Sequence, residues 1–337
     1  MIRIFIMSSE RSGSNLLRQI LGSHKDGIAP VAIHFTTNLA KLSPYYCSGP
    51  GYRSDQLVAD MVTLARSHIV PWQYDIDIEQ VVKNIEINSF WGVMISLYDV
   101  IARSDDRKFW VCKDNALFDY AEEIIDQFPE AKFIYLVRDG RDVALSFLKV
   151  PGGPKSMTDA GRLWIREQQK CLQVYRLYPE NVYMVRYEDL LNNPQETIRG
   201  MCSFSGIAYS EDMMNFFKKD DNTFEKSVYW SNLNKPLMSE NSGKWKNEMS
   251  GKDIHYYQNI ESAECKRLLA SFGYEVLEDS NNMIIYTIYR QVVDKILKFC
   301  RFFYYKIYQP EGKARLPKKQ ALKKIRQQLM GRARKKI

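Results

Sequence analysis

The stretch Ile2-Arg3-Ile4-Phe5-Ile6-Met7-Ser8-Ser9-Glu10-Arg11-Ser12-Gly13-Ser14-Asn15-Leu16-Leu17 decides the fold. Its first part, Ile2–Met7, is a short apolar run of the kind that forms a strand buried on both faces. Its last part leads into Leu16, Leu17, Ile20 and Leu21, apolar at helical spacing before Gly22. Small residues between a strand and a helix let successive backbone N–H groups close around an anion. The helix N-terminus adds the positive end of its dipole. Arg11 supplies a fixed charge, and Ser12, Ser14 and Asn15 supply side-chain donors. The glycine and lysine of GxxxxGK[ST] are missing, so the loop is not a Walker A sequence. The plain alternative is a strand–helix turn with serine as N-cap.

The same logic returns at Phe133-Ile134-Tyr135-Leu136-Val137-Arg138-Asp139-Gly140-Arg141-Asp142-Val143-Ala144-Leu145-Ser146. Arg138 leaves the carboxyl end of an apolar strand, where ligands of open α/β sheets gather. Ser146 follows about two helical turns later. Structural pairing of Arg138 and Arg141 with Asp139 and Asp142 is the competing reading.

Further apolar runs at Phe109–Cys112, Ala131–Val137 and Asn181–Tyr187 also lead through polar turns into helical patterns. Strands alternating with helices predict an α/β fold: three layers, a mainly parallel central sheet with helices on both faces, and a P-loop-like phosphate site. Residues 158–178, closed by Pro179, predict a long helix, and Asp253–Phe272 another that ends at Gly273. Val228–Trp245, rich in Ser, Asn, Lys and Gly, reads as a loop, and the whole stretch between the apolar runs Ile2–Met7 and Phe109–Cys112 carries helical patterns but no clear strand.

Taken together, the two loops make the chain resemble the sulfotransferases that use 3′-phosphoadenosine-5′-phosphosulfate (PAPS). The first loop resembles that family's 5′-phosphosulfate loop, and Leu136–Ser146 its 3′-phosphate motif. Cys112-Lys113-Asp114, Arg186-Tyr187-Glu188-Asp189-Leu190 with Pro194, Lys235-Pro236, Gly243-Lys244-Trp245-Lys246 and Phe272-Gly273-Tyr274-Glu275 follow in matching order. The resemblance runs over residues 1–278. It implies that Arg11, Ser12, Gly13, Ser14 and Asn15 hold the 5′-phosphosulfate and that Arg138 and Ser146 hold the 3′-phosphate. It also implies that Tyr187 lies near the adenosine and that Lys244 sits in a late loop closing over the 3′-phosphate. The expected reaction moves a sulfuryl group from PAPS to a hydroxyl of a carbohydrate, lipid or small metabolite, releasing PAP.

Such transfer depends on positioning and charge stabilisation, with one base for the acceptor proton. Lys113, ending a strand, is the candidate cation for the leaving oxygen, and Arg11 could share that role. Many relatives carry a glutamate in a Pro-x-Glu-like segment after the first helix. Here Ala29-Pro30-Val31-Ala32-Ile33-His34-Phe35 has no carboxylate, and His34 is its titratable side chain. An imidazole suits the task, although a satisfied core histidine is the competing reading. Glu10 is a further base candidate, and His24 reads as a cap or buried contact at the first helix end. A catalytically inactive PAP/PAPS-binding protein and a P-loop nucleotide kinase are the alternative functions. Phe35, Tyr45, Tyr46, Trp72, Tyr74, Phe90 and Trp91 either line an acceptor pocket or fill the core.

The charge balance points away from a nucleic-acid-coating protein. Lys and Arg number 48 against 40 acids, a net charge of +8, yet the excess lies after Pro310. Residues 1–282 read as the catalytic domain, and 283–337 as an amphipathic helix followed by a basic tail. That appendage docks on the body with a solvated tail, touches a membrane surface peripherally, or offers a partner surface or nonspecific RNA contact. Six scattered cysteines without a CxxC pair, and four histidines without zinc spacing, predict neither a disulfide framework nor a metal site. With no signal-like or spanning apolar run, the expected location is cytoplasmic. Oligomeric state is not legible.

Overall fold

In the computed structural model, residues 1–48, 51–150, 153–218, 233–261, 264–278, 283–307 and 316–334 are described. The strands are β1 (Ile2–Ser8), β2 (Gly27–Ile28), β3 (Cys47–Ser48), β4 (Gly51–Tyr52), β5 (Phe109–Lys113), β6 (Lys132–Val137) and β7 (Val182–Arg186). The first helices are α1 (Ser14–Gly22), α2 (Phe35–Leu39), α3 (Ser54–Arg66), α4 (Ile78–Lys83) and α5 (Phe90–Ser104). Next come α6 (Ala121–Gln127), α7 (Gly140–Leu148), α8 (Met157–Leu177), α9 (Tyr187–Asn192) and α10 (Pro194–Ser205). The last are α11 (Trp245–Glu248), α12 (Gly251–Gln258), α13 (Glu264–Ser271), α14 (Ile284–Ile307) and α15 (Leu316–Arg334).

The main sheet has the order β2-β5-β1-β6-β7, and every pairing in it is parallel. Its two faces follow from strand periodicity. Phe5, Met7, Trp110, Cys112, Phe133 and Tyr135 share one cluster with α5 and α8 residues. Ile4, Ile6, Phe109, Val111, Ile134 and Leu136 face the other way, with Leu17, Ile20 and Leu21 of α1 and Ile198 and Met201 of α10. Both layers are therefore present, as the continuous apolar strands predict. Leu17, Ile20 and Leu21 are buried, and each such side chain contributes about 1.5–3 kcal/mol.

The chain moves from β1 to β5 on one side and to β6 on the other, so β1 lies at the switch point of the sheet. Loops leaving adjacent strand ends there open a crevice.

Two expectations change. Asp253–Phe272 is not one helix: α12 ends at Gln258, and Glu261 adopts a left-handed φ of 55° before α13 begins. The break lets both short helices lie against α8, whereas a straight rod would touch it over only part of its length. Between the first two expected strands there are also short ones: β2, which pairs with β5 at the edge of the main sheet, and the small antiparallel hairpin β3–β4. The part of the expected loop Val228–Trp245 before residue 233 lies outside the described residues; the rest is largely irregular.

The basic C-terminal stretch is helical and docked over residues 316–334. Ala321, Ile325 and Leu329, four residues apart, are buried, and α15 packs on α3 and the 3₁₀ segment Ala40–Tyr46. No helix among the described residues is long and apolar enough to cross a membrane.

Candidate active site

Four neighbouring strand ends converge on one cleft of about 470 Å³. β1 delivers Glu10, Arg11, Gly13, Ser14 and Asn15, β5 delivers Lys113 and Asn115, β6 delivers Arg138, and β7 leads to Tyr187. His34, Ser146 and Lys244 reach the same cleft from α2, α7 and the late loop. The fold thus brings to one cleft all the predicted site residues except Ser12. Ser12 is buried behind the loop, its hydroxyl 2.8 Å from that of Ser9. Ser9 in turn accepts from Gln168 Nε2 at 3.0 Å, which ties the loop to α8.

The first loop has the geometry of an anion cradle. Arg11 and Gly13 both have left-handed φ, 68° and 93°. Gly13 caps α1 without a side-chain hydrogen bond, so its first-turn N–H groups are not consumed by a capping oxygen. A Cβ on Gly13 would lie 2.4 Å from Cε2 of Tyr187. Glycine is therefore required both by the backbone and by the aromatic ring pressed against the loop.

The second cradle is built on Arg138. Its guanidinium lies 4.5 Å from the Tyr187 ring centroid, donates to the carbonyls of Arg11 (3.2 Å) and Asn241 (2.6 Å), and sits 3.6 Å from Asp142. Its Nε is buried without a partner. Asp142 accepts from the backbone N–H of Gly243 at 2.8 Å and of Trp245 at 2.9 Å, pinning the late loop so that Lys244 meets the cleft. Lys244 Nζ donates to Asn241 Oδ1 at 2.8 Å. Arg141 is structural: it forms a buried two-bond pair with Asp139 and stacks on Trp245. The two cradles meet where Arg11 Nε donates to Ser146 Oγ at 3.1 Å.

Elsewhere along the cleft wall, Lys113 is buried, and burial lowers its pKa, while Asp114 and Glu10 oppose that shift. Its Nζ donates to Asn115 Oδ1 at 2.7 Å, and Asn115 Nδ2 donates to Glu10 Oε1 at 2.7 Å. His34 has a left-handed φ of 63°, and its side chain is 32 % exposed. Its Nδ1 lies 3.3 Å from Asp114 Oδ1, within ion-pair range but poorly aligned for a hydrogen bond. Burial lowers the imidazole pKa, only partly offset by Asp114. Burial alone would raise the Asp114 carboxyl, but the adjacent His34 imidazole, the bond from the Thr36 N–H and the charge of Lys113 hold it below the usual value. Asp114 also accepts from the Thr36 hydroxyl, fixing the start of α2. Lys318 of α15 donates to the Ile33 carbonyl at 2.6 Å, one residue before His34.

Sequence reasoning missed Asn115 as the bridge between Lys113 and Glu10, Asp114 as the partner of His34, and Lys318 altogether. Asp114 was visible only as a neighbour of Lys113, and nothing local marks Lys318. Glu10 pairs with Asn115 across the cleft. His24 is buried and accepts from the Asp26 N–H at 3.0 Å. The proposed acceptor aromatics belong elsewhere: Phe35, Tyr46, Trp72, Phe90 and Trp91 are core, Tyr74 packs against it, and Tyr45 is exposed. No group of His, Cys, Asp and Glu among the described residues is arranged to hold a metal.

Residues 3–211 match the model of the Sulfotransferase family. The chain belongs to that family. It is 22 % identical over 290 residues to the protein-tyrosine sulfotransferase of Drosophila melanogaster, covering 81 % of this chain and 51 % of that protein, so it spans about half that relative's length. Among solved structures it is similar to the sulfotransferase domain from the curacin biosynthetic pathway, with a TM-score of 0.55 and 23 % identity over 82 % of this chain and 98 % of that one. The sulfotransferase domain of the Synechococcus PCC 7002 olefin synthase is equally similar in shape, with a TM-score of 0.55, 19 % identity, and coverage of 82 % and 95 %. At these identities the two structures speak for the fold: a parallel sheet flanked by helices.

Proposed function

We propose that the chain transfers a sulfuryl group from PAPS to an acceptor hydroxyl, with the nucleotide held across the two cradles. The observation that carries this reading is the pairing of two separate anion sites, Arg11–Asn15 and Arg138–Ser146, at adjacent strand ends. A donor with phosphate groups at both the 5′ and 3′ positions needs two such sites. The residues fit it: the uncapped α1 N-terminus and Gly13 suit the 5′ end. Arg138, with an unpartnered Nε, joins Ser146 and Lys244 for the 3′ end, and the Tyr187–Arg138 stack in the cleft wall suits a flat base. PAPS supplies the activated sulfuryl group.

His34 takes the acceptor proton. Its lowered pKa keeps the imidazole neutral, and Asp114 beside Nδ1 orients the ring and stabilises the charge it gains. As the acceptor oxygen bonds to sulfur, the bond from sulfur to the 5′-phosphate oxygen breaks. The electron pair stays on that oxygen, giving PAP. Lys113 and Arg11 stabilise the developing charge, and Asn115 holds the lysine ammonium in place. The acceptor is a hydroxyl on a carbohydrate, lipid or small metabolite. The similarity to the Drosophila protein favours a second reading, a tyrosine hydroxyl.

The deciding experiment offers radiolabelled PAPS and, separately, ATP to the protein with panels of sugars, lipids, metabolites and tyrosyl peptides. Label transfer from PAPS supports the reading. Transfer from ATP alone points to a kinase, and tight PAP binding without transfer to any acceptor points to an inactive binding protein.

A further inference from the structure

Helix α14 is docked with its polar side inward. Asp294, 4 % exposed, accepts from both the N–H and the hydroxyl of Thr158, at 2.9 and 2.6 Å. Arg290 lies 3.2 Å from Asp253 and 3.5 Å from Asp294, and the Tyr286 hydroxyl donates to Asp253 at 2.9 Å. These contacts fix the helix against α12 and α8. They also fix what faces outward: Ile285, Tyr289, Val292, Ile296, Phe299 and Phe303, spaced by four and three residues, are all exposed, Ile285 at 82 % and Phe299 at 65 %. An ordinary surface helix does the reverse, and a continuous apolar strip of this length marks an interaction surface.

The surrounding charge selects the partner. The single acid of α14, Asp294, is buried and bonded, so the charges that the described part of α14 exposes beside the strip are the cations Lys295 and Lys298, the latter 2.9 Å from Asp159 of α8. From residue 283 to 337 the sequence holds sixteen Lys and Arg against two acids. In α15, Lys319, Lys323, Lys324 and Arg326 are exposed. A second copy laid along this strip would bring like charges together, with no acid on the helix to pair with them. A bilayer of anionic phospholipid complements both features at once, taking the apolar side chains into the acyl boundary while its headgroups neutralise the rim. We propose that the outward strip of α14 is a peripheral membrane-binding surface for anionic phospholipid, lying in the interface plane.

The test is flotation of the full chain with vesicles of phosphatidylcholine alone or with phosphatidylglycerol. The variants are Val292→Asp/Phe299→Asp and, as a control on another face, Leu177→Asp. Circular dichroism and melting temperature establish that each is folded. The proposal expects the unaltered chain and Leu177→Asp to float with anionic vesicles, several-fold less with phosphatidylcholine and less at high salt. It expects the double variant to partition at least ten-fold more weakly. Equal flotation of the chain and the folded double variant would overturn it. So would absence of flotation, including the case in which light scattering shows a dimer that the double variant breaks. Should the double variant fail to fold, the milder Ile288→Ser/Ile296→Ser is read by the same criteria.

Discussion

Arg11 and Ser146 are 135 positions apart in sequence, yet Arg11 Nε donates to Ser146 Oγ at 3.1 Å. The contact joins the two loops at their tips, so the proposed cradles form one continuous polar wall. It also means that each loop helps to hold the other.

Replacing Arg138 with Ala is expected to weaken PAP binding by about 10- to 100-fold, the range of losing one or two charge-assisted hydrogen bonds. Ser146→Ala should cost less, about 5- to 10-fold, because a neutral hydroxyl is removed. Isothermal titration with PAP reads both. Unchanged affinity in Arg138→Ala would remove the 3′ cradle from the proposal.

His34→Ala should lower turnover by about 10²- to 10⁴-fold, the usual contribution of a general base, while PAP still binds. The lowered imidazole pKa has a definite sign. The base works when neutral, so activity should hold as pH falls to below the ordinary histidine value and only then decline. Asp114→Asn removes a group that raises the His34 pKa, so the decline should move to still lower pH as turnover falls. An acid limb that persists unshifted in His34→Gln would assign it to another group.

Gly13→Ala should abolish donor binding for two separable reasons: the left-handed backbone and the Tyr187 ring. A double-mutant cycle with Tyr187→Ala tests this. The larger residue at position 13 should be several-fold better tolerated when the ring is gone. Strict additivity would show that the close approach costs nothing.

The Lys318 bond to the Ile33 carbonyl predicts a role for the C-terminal helix in placing His34. Lys318→Ala should lower kcat about 3- to 10-fold and leave PAP affinity unchanged, as expected for loss of one charged hydrogen bond. Lys318→Arg should recover part of the rate. A parallel loss of PAP affinity would show instead that α15 supports the whole body.

Glu167, which accepts from the backbone N–H of Glu10 at 3.3 Å, offers a stability test read by melting and not by turnover. Burial, reinforced by the charge of Glu10, raises its pKa to about 7. The folded chain therefore binds this proton more tightly than the unfolded chain does. Stability from this site is full below the ordinary glutamate range and is lost as pH rises toward about 7. Glu167→Gln should raise Tm by roughly 2 °C at pH 8, about 1 kcal/mol in a chain of this size, with little effect at pH 5. A gain equal at both values would contradict the assigned pKa.

The sequence by itself determined four of the five strands of the main sheet and the strand–helix loops that follow them, because those signals are local. An apolar run such as Ile2–Met7 has few ways to be buried, and a small-residue turn between strand and helix has few uses. Phe109, Ala131 and Asn181 each mark a strand start to within one residue of the observed position. Arg138 and Lys113 were legible as site candidates because strand ends in a parallel sheet face ligands whatever else the chain does. Tertiary structure decided everything that depends on which distant groups meet. Asp114 beside His34, Asn115 between Lys113 and Glu10, and Lys318 against Ile33 join positions with no shared period or motif. The aromatics of residues 35–105 carried no such local mark, since an aromatic ring lines a pocket or fills a core equally well by composition. Packing alone made most of them core. The C-terminal segment shows the division most plainly: its amphipathic pattern was readable, but which face turns inward was not. Asp294, bonded to Thr158, turned the polar face in and left the apolar face outside.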